Sequence, residues 1–235
     1  MHAVILAGGK GTRLHPYTTV LPKPLMPIGD MPVLEVVLRQ LKRGGFDRVT
    51  LAVSYLAELI EAYCGDGSRF GLDLRFSRER KELSTAGPLK LIKGLDETFL
   101  TMNGDILTTL DYAALVRHHK EQGAAATIAV HRRTVKIDYG VIESDGAGAL
   151  DRYIEKPEYH YCVSMGINVF EPGVVDHIGE GERLTIPDLM LRLKGAGKKV
   201  GTFEPDCLWL DIGRPEDHEK AVELFESMRG TFLGE

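Results

Sequence analysis

Cysteine is scarce and unpatterned in this chain. Its three residues, Cys64, Cys162 and Cys207, have no close spacing. That excludes a disulfide framework and a zinc site and suits a reducing compartment. Long apolar runs are also missing. Val4-Ile5-Leu6 is too short for a signal peptide or a membrane span. A cytoplasmic location and no membrane partner are therefore expected. There is no excess of positive charge. The net charge is −5, so nothing draws the chain globally to nucleic acid, and none is expected as a partner. Internal repeats, low-complexity tracts and linkers are lacking too. With 43% hydrophobic and 27% charged residues over 235 positions, the chain reads as a single globular domain spanning 1–235. An anionic ligand would have to be held by local cations.

Such cations stand in one stretch near the start. Ala3-Val4-Ile5-Leu6-Ala7 reads as a short buried strand, and the chain then turns glycine-rich at Gly8, Gly9 and Gly11. Without a Cβ these residues let the backbone approach a ligand, and successive amides form an anion-binding nest. Thr12 adds a hydroxyl, Arg13 a planar fork of donors, and Lys23 a second charge between Pro22 and Pro24. The loop is not a Rossmann fingerprint, because Leu14 stands where the last glycine is required. It is not a Walker loop either, since Gly11 follows Lys10. The glycines alone would fit a plain turn. Strand, glycine loop and two cations together point to a triphosphate site over Leu6, Ala7, Gly8, Gly9, Gly11 and Thr12.

Strands and helices alternate through the first half. Strands are expected at 49–53, 72–76, 99–102 and 124–130, with helices from Val33, over 56–63, 86–93 and 110–122. That alternation predicts an α/β fold with a mostly parallel sheet covered on both faces. Short strands at 139–143, 150–155 and 163–170 suggest a mixed or antiparallel subregion over the sheet's carboxyl edge. Helices at 172–178 and 186–193, a strand at 207–211 and a helix from Pro215 complete the chain. In open α/β sheets ligands bind at the carboxyl ends of strands. Asp105 and Asp211 fall at two such ends. Each alone would pass for a turn residue. As a pair beside a triphosphate they suggest a Mg²⁺ site, completed by phosphate oxygens and water. His118 and His119 have no partner at metal spacing and read as helix surface; Trp209 reads as core.

The run Gly8-Gly9, Gly11-Thr12-Arg13-Leu14, Pro16 and then Pro22-Lys23-Pro24-Leu25 resembles the signature of the sugar-1-phosphate nucleotidylyltransferases. Among them it looks most like the guanylyltransferases of mannose 1-phosphate or a manno-heptose 1-phosphate. The resemblance implies a three-layer, Rossmann-like nucleotide-diphospho-sugar transferase fold with a sugar-binding subregion. It implies an enzyme that joins a nucleoside triphosphate to a sugar 1-phosphate, with Asp105, after Gly104, and Asp211, in Trp209-Leu210-Asp211-Ile212-Gly213, as the metal ligands. Arg13, Lys23 and Lys156 become the catalytic cations. Glu155-Lys156-Pro157 matches the family's sugar-phosphate motif, with Glu155 on sugar hydroxyls and Lys156 on the phosphate. Gly140 matches a glycine lying against the sugar, and Asn168 in Gly166-Ile167-Asn168 a ligand of its hydroxyls. A homo-oligomer is expected by the same likeness.

The base pocket is implied between the third strand and the next helix. There Ser84 replaces the family's usual glycine, before Thr85. Glu79 falls where many uridylyl and thymidylyl relatives place Gln. An ionised carboxylate only accepts hydrogen bonds. Guanine offers it two adjacent donors, whereas uracil and thymine flank one donor with carbonyls. That favours GTP and leaves CTP open; a solvated Glu79 among Arg78, Arg80, Lys81 and Glu82 would select nothing. Uridylyl, cytidylyl or thymidylyl transfer to a glucose-type sugar phosphate, a non-sugar phosphate acceptor, and a silent nucleotide-sugar-binding regulatory subunit also stay open.

Overall fold

A computed structural model describes residues 1–234. In chain order the elements are β1 (His2–Ala7), β2 (Pro27–Ile28), β3 (Met31–Pro32), α1 (Val33–Arg43), β4 (Arg48–Val53), α2 (Ala57–Cys64), β5 (Asp73–Arg78), β6 (Phe99–Asn103), β7 (Ile106–Thr108) and α3 (Tyr112–Gln122). There follow β8 (Ala126–Lys136), β9 (Val141–Ser144), β10 (Leu150–Ile154), β11 (Glu158–Phe170), α4 (Ile186–Gly195), β12 (Val200–Phe203), β13 (Trp209–Asp211), α5 (Pro215–Ser227) and α6 (Arg229–Leu233).

The main sheet runs β12-β8-β11-β6-β1-β4-β5. Only β11 runs antiparallel to its neighbours. The apolar run of β1 explains its central place, because successive side chains face opposite sides. Ala3, Ile5 and Ala7 enter one core with α1, α2 and α3. Val4, with Leu6 beside it, enters a second core with α4 and the turns at 87–91 and 172–177. These two cores make the expected three-layer α/β architecture.

Two further features set the geometry that follows. Strand β13 pairs antiparallel with β7, placing Asp211 opposite Ile106, and the Ile212 amide donates to the Asp105 carbonyl at 3.1 Å. Two acids 106 positions apart in sequence are thereby brought side by side. Residues 131–136 of β8 and 158–164 of β11 continue as an exposed ribbon, and the chain between them forms the β9–β10 hairpin. The β11 register breaks between Ser164 and Asn168. There Gly166 takes φ +72°, and a Cβ on it would stand 2.7 Å from Asn103 Nδ2.

Several local expectations change. The helices expected at 86–93 and 172–178 are short 3-10 turns, Gly87–Leu91 and Pro172–His177, each opened by a proline in its first turn. The strand expected at 124–130 extends to Lys136 because its outer half pairs with the β11 ribbon. Glu155 and Lys156 lie past the end of β10, not on it, and Lys156 turns the chain at φ +45°. His119 is buried within the protein, not on its surface. Its Nδ1 meets Thr127 Oγ1 at 2.8 Å and its Nε2 meets Glu171 Oε1 at 3.0 Å. His118 lies against the Phe203 ring. Among the described residues no helix is long and apolar enough to cross a membrane.

Candidate active site

A cleft of about 720 Å³ opens at the carboxyl ends of β1, β4 and β6. The glycine loop forms one side, the segment after β5 another, and Asn103-Gly104-Asp105 the floor. Leu6, Ala7, Gly8, Gly9, Gly11, Thr12, Lys23, Glu79, Ser84, Thr85, Gly104 and Asp105 all line it. Gly11 is αL at φ +62°, and a Cβ there would meet Thr18 Cγ2 at 2.9 Å, so this position requires glycine. Gly104 lies against Ile5 and Pro24, where a Cβ would stand 3.2 Å from each.

Glu79 holds its own loop together. Its Oε2 accepts from the Leu83 amide at 2.9 Å, and its Oε1 lies 2.6 Å from the place of a Cβ on Gly8. Burial pushes its carboxyl above the usual range. Ser84 adopts φ +65°, the left-handed conformation a glycine would take at no cost.

A second cleft, of about 580 Å³, adjoins the first through Thr85 and Asn103. Its walls are mainly apolar: Ile128, Met165, Ile186, Pro187, Met190 and Trp209. Asn168 and Asp211 line it as well. Asn168 is 3% exposed, and its Oδ1 is buried without a partner among the described residues. Trp209 packs partly buried against the core, as expected, and also borders this cleft, donating from Nε1 to the Met165 carbonyl at 3.0 Å.

A charged cluster stands where the clefts meet. Lys23 Nζ contacts Asp105 Oδ2 and lies 3.9 Å from Asp211 Oδ1. The Lys23 and Asp105 side chains are 12% and 14% exposed, so this pair sits in a largely desolvated place. Asp105 Oδ1 is buried and has no partner among the described residues. Burial raises the Asp211 carboxyl above its ordinary value; the Asp105 charge adds to this, and Lys23 and Arg13 oppose it. Among the described residues no group of three or more His, Cys, Asp and Glu side chains is placed to hold a metal. Two carboxylates with one orphaned oxygen suit a hard divalent cation whose other ligands come from substrate and water.

The remaining expected residues lie outside both clefts. Arg13 packs against Gly213, its Nη1 lying 3.4 Å from the place of a Cβ there, just beyond Asp211. Gly140 lies under the Tyr153 ring, with 2.6 Å left for a Cβ beside its hydroxyl. Glu155 and Lys156 are exposed at the ribbon end. Sequence reasoning missed Lys10, Tyr55, Arg80 and Lys81 in the first cleft. Arg80 and Lys81 were signalled only as charges around Glu79. The apolar wall of the second cleft carries no local motif, because it is assembled from β7, β8, β11, α4 and β13.

Comparison with known proteins gives one consistent result. The family model for nucleotidyl transferases matches residues 2–227. A UTP–glucose-1-phosphate uridylyltransferase of Synechocystis is 38% identical, over 94% of this chain and 62% of its own. A mannose-1-phosphate guanyltransferase of Yarrowia lipolytica is 34% identical, over 97% of this chain and 64% of its own. The chain thus spans just under two thirds of the length of these relatives. In fold, HddC from Yersinia pseudotuberculosis superposes with a TM-score of 0.72 at 24% identity, over 95% of this chain and 99% of that one.

Proposed function

The chain belongs to the nucleotidyl transferase family, and from that premise we propose that it joins a nucleoside triphosphate to a sugar 1-phosphate, releasing pyrophosphate. The observation that carries this is the Lys23–Asp105–Asp211 cluster, with Lys23 and Asp105 lining one cleft and Asp211 the other. The first cleft takes the nucleotide and the second the neutral body of the sugar. An oxygen of the sugar phosphate attacks the α-phosphorus; the bond to the bridging β-phosphate oxygen breaks, and its electrons leave with pyrophosphate. No side-chain nucleophile is needed, so catalysis is alignment and charge neutralisation. Lys23 and the loop amides at 8–12 hold the triphosphate. Arg13, beside Asp211, adds charge at the junction. Lys156, which forms no ion pair among the described residues, screens the incoming phosphate, with Glu155, Gly140 and Asn168 about the sugar. The orphaned Asp105 oxygen suits Mg²⁺ held by Asp105 and Asp211; when bound, Mg²⁺ neutralises charge on the phosphates. The reaction fits the cytoplasm, where the three free cysteines stay reduced.

Glu79 supports GTP as the nucleotide, and the guanyltransferase relative supports mannose 1-phosphate as the acceptor. Uridylyl transfer to glucose 1-phosphate is the second reading, favoured by the Synechocystis relative. Pyrophosphate release with Mg²⁺ decides, measured across GTP, UTP, CTP, ATP and dTTP crossed with mannose, glucose, N-acetylglucosamine and heptose 1-phosphates. Release with GTP and a manno-configured acceptor supports the first reading. Release only with UTP or dTTP overturns the role of Glu79, and silence across the grid overturns the activity.

A further inference from the structure

Thr85 borders both clefts, and its hydroxyl is tied to the element that walls the second. The amide of Ile186, the first residue of α4, donates to Thr85 Oγ1 at 2.9 Å. The leading amides of a helix have no partner within it. Helix α4 uses its own cap, Thr185, on the Asp188 amide at 3.1 Å. Its Ile186 amide is left to a side chain 101 positions earlier.

The main chain laces the same two segments. The Leu184 amide donates to the Leu83 carbonyl at 3.1 Å, and the Ala86 amide to the Leu184 carbonyl at 2.9 Å. Gly87 permits this approach, since a Cβ on it would lie 2.4 Å from the Glu182 carbonyl oxygen. On the other side, Glu79 holds the Leu83 amide. Hydrogen bonds are thus continuous from the carboxylate in the first cleft to the start of the helix carrying Ile186, Pro187 and Met190. Ser84, between these anchors, keeps a left-handed backbone that costs a non-glycine residue energy and persists only where its surroundings impose it. The loop at 79–86 and the first turn of α4 are thus laced together by side-chain and main-chain hydrogen bonds.

We propose that Thr85 is a positioning residue whose hydroxyl carries occupancy of the nucleotide cleft to the wall of the acceptor pocket, so that a bound nucleoside triphosphate tightens acceptor binding. This rests on the assignment of the two clefts given above. By linkage the acceptor tightens the nucleotide by the same factor.

Trp209 is the one tryptophan of the chain and borders the acceptor pocket, so its emission reports acceptor binding without turnover. Mannose 1-phosphate is titrated with and without a non-hydrolysable GTP analogue, in the wild type, Thr85→Val and Thr85→Ser. The analogue is expected to lower the acceptor Kd about fivefold or more in the wild type, and to leave it within about twofold in Thr85→Val. Thr85→Ser, which keeps the hydroxyl, restores the wild-type ratio. A ratio near one in the wild type, or an undiminished ratio in Thr85→Val, overturns the proposal. If Thr85→Val fails to fold, Gly87→Ala takes its place and must lower the ratio, since its Cβ pushes the Glu182 segment away. Hydrogen exchange separates this proposal from the assigned activity. If no substrate pair releases pyrophosphate, the activity falls, but the analogue alone must still protect the amides of Ile186 and 188–191 in the wild type and not in Thr85→Val. Equal exchange in the two chains overturns the proposal.

Discussion

The two clefts meet at Thr85 and Asn103, yet they are built by opposite means. The first cleft, which we assign to the nucleotide, is mostly backbone, glycine and charge, drawn from three strand ends and the loops that leave them. The second cleft, which we assign to the acceptor, is mostly apolar side chain, drawn from five elements spread along the sequence. Phosphates are recognised by amides and cations of fixed geometry, which one short loop can supply. A neutral sugar body needs shape and a few placed acceptors, which only a packed wall supplies. The contrast gives a rule for mutants: changes in the first cleft should act through charge and nucleotide identity, and changes in the second through acceptor KM.

The largest effect should come where the clefts join. Lys23→Ala, Asp105→Ala and Asp211→Ala are each expected to lower kcat by about 10²–10³-fold or more while leaving a folded chain, judged by steady-state kinetics and circular dichroism. Near-normal turnover in all three would remove the junction from the chemistry. Next, Glu79→Gln should keep the bond from the Leu83 amide, since the amide oxygen still accepts. It should shift the GTP-to-UTP ratio of kcat/KM by about 10–100-fold towards UTP. An unchanged ratio would make Glu79 a loop brace alone. Smaller again, Met190→Gln puts an amide on the acceptor wall and should raise acceptor KM about tenfold with nucleotide KM unmoved. A shift in nucleotide KM instead would break the division between the clefts.

The smallest effect lies away from both. Burial holds the His119 imidazole below its ordinary pKa, against the pull of Glu171. As pH falls below the ordinary value of about 6.5, the unfolded chain therefore takes up a proton before the folded one, and stability declines. His2 is lowered by burial in the same way. His119→Gln should flatten part of that slope in denaturant titrations between about pH 5 and 6.5 without altering either KM. An unchanged slope would show that His119 is not proton-linked to folding.

What could be read from sequence follows the same division. The apolar runs of β1, β4 and β6 announce themselves because strands buried on both faces have no polar alternation to confuse them. The loop at 8–13 is legible because its chemistry is consecutive. Asp105 and Asp211 were found by their strand-end positions, but only the β7–β13 pairing brings them together. The expected helix at 86–93 was misread because its apolar spacing hides the close approach of Gly87 to the Glu182 segment. His119 was misread because a buried imidazole looks like a surface one until Thr127 from β8 and Glu171 from the end of β11 meet it. The apolar wall of the second cleft was not legible at all, since it is assembled from five elements spread between Ile106 and Trp209.

The register break in β11 bears on how such a chain can diversify. Inward of Gly166, the strand pairs with β6 and β8 and belongs to the core; outward of it, the same strand is an exposed ribbon. A slip by one residue ordinarily turns every side chain of a strand to the wrong face. Here the irregularity between Ser164 and Asn168 decouples the two lengths. Residues 131–164 are thus a segment in which insertion, deletion or exchange can be tried while Ile167, Val169 and Phe170 keep their places. The apolar wall of the second cleft, built almost wholly from residues outside that segment, would keep its lining through such a change.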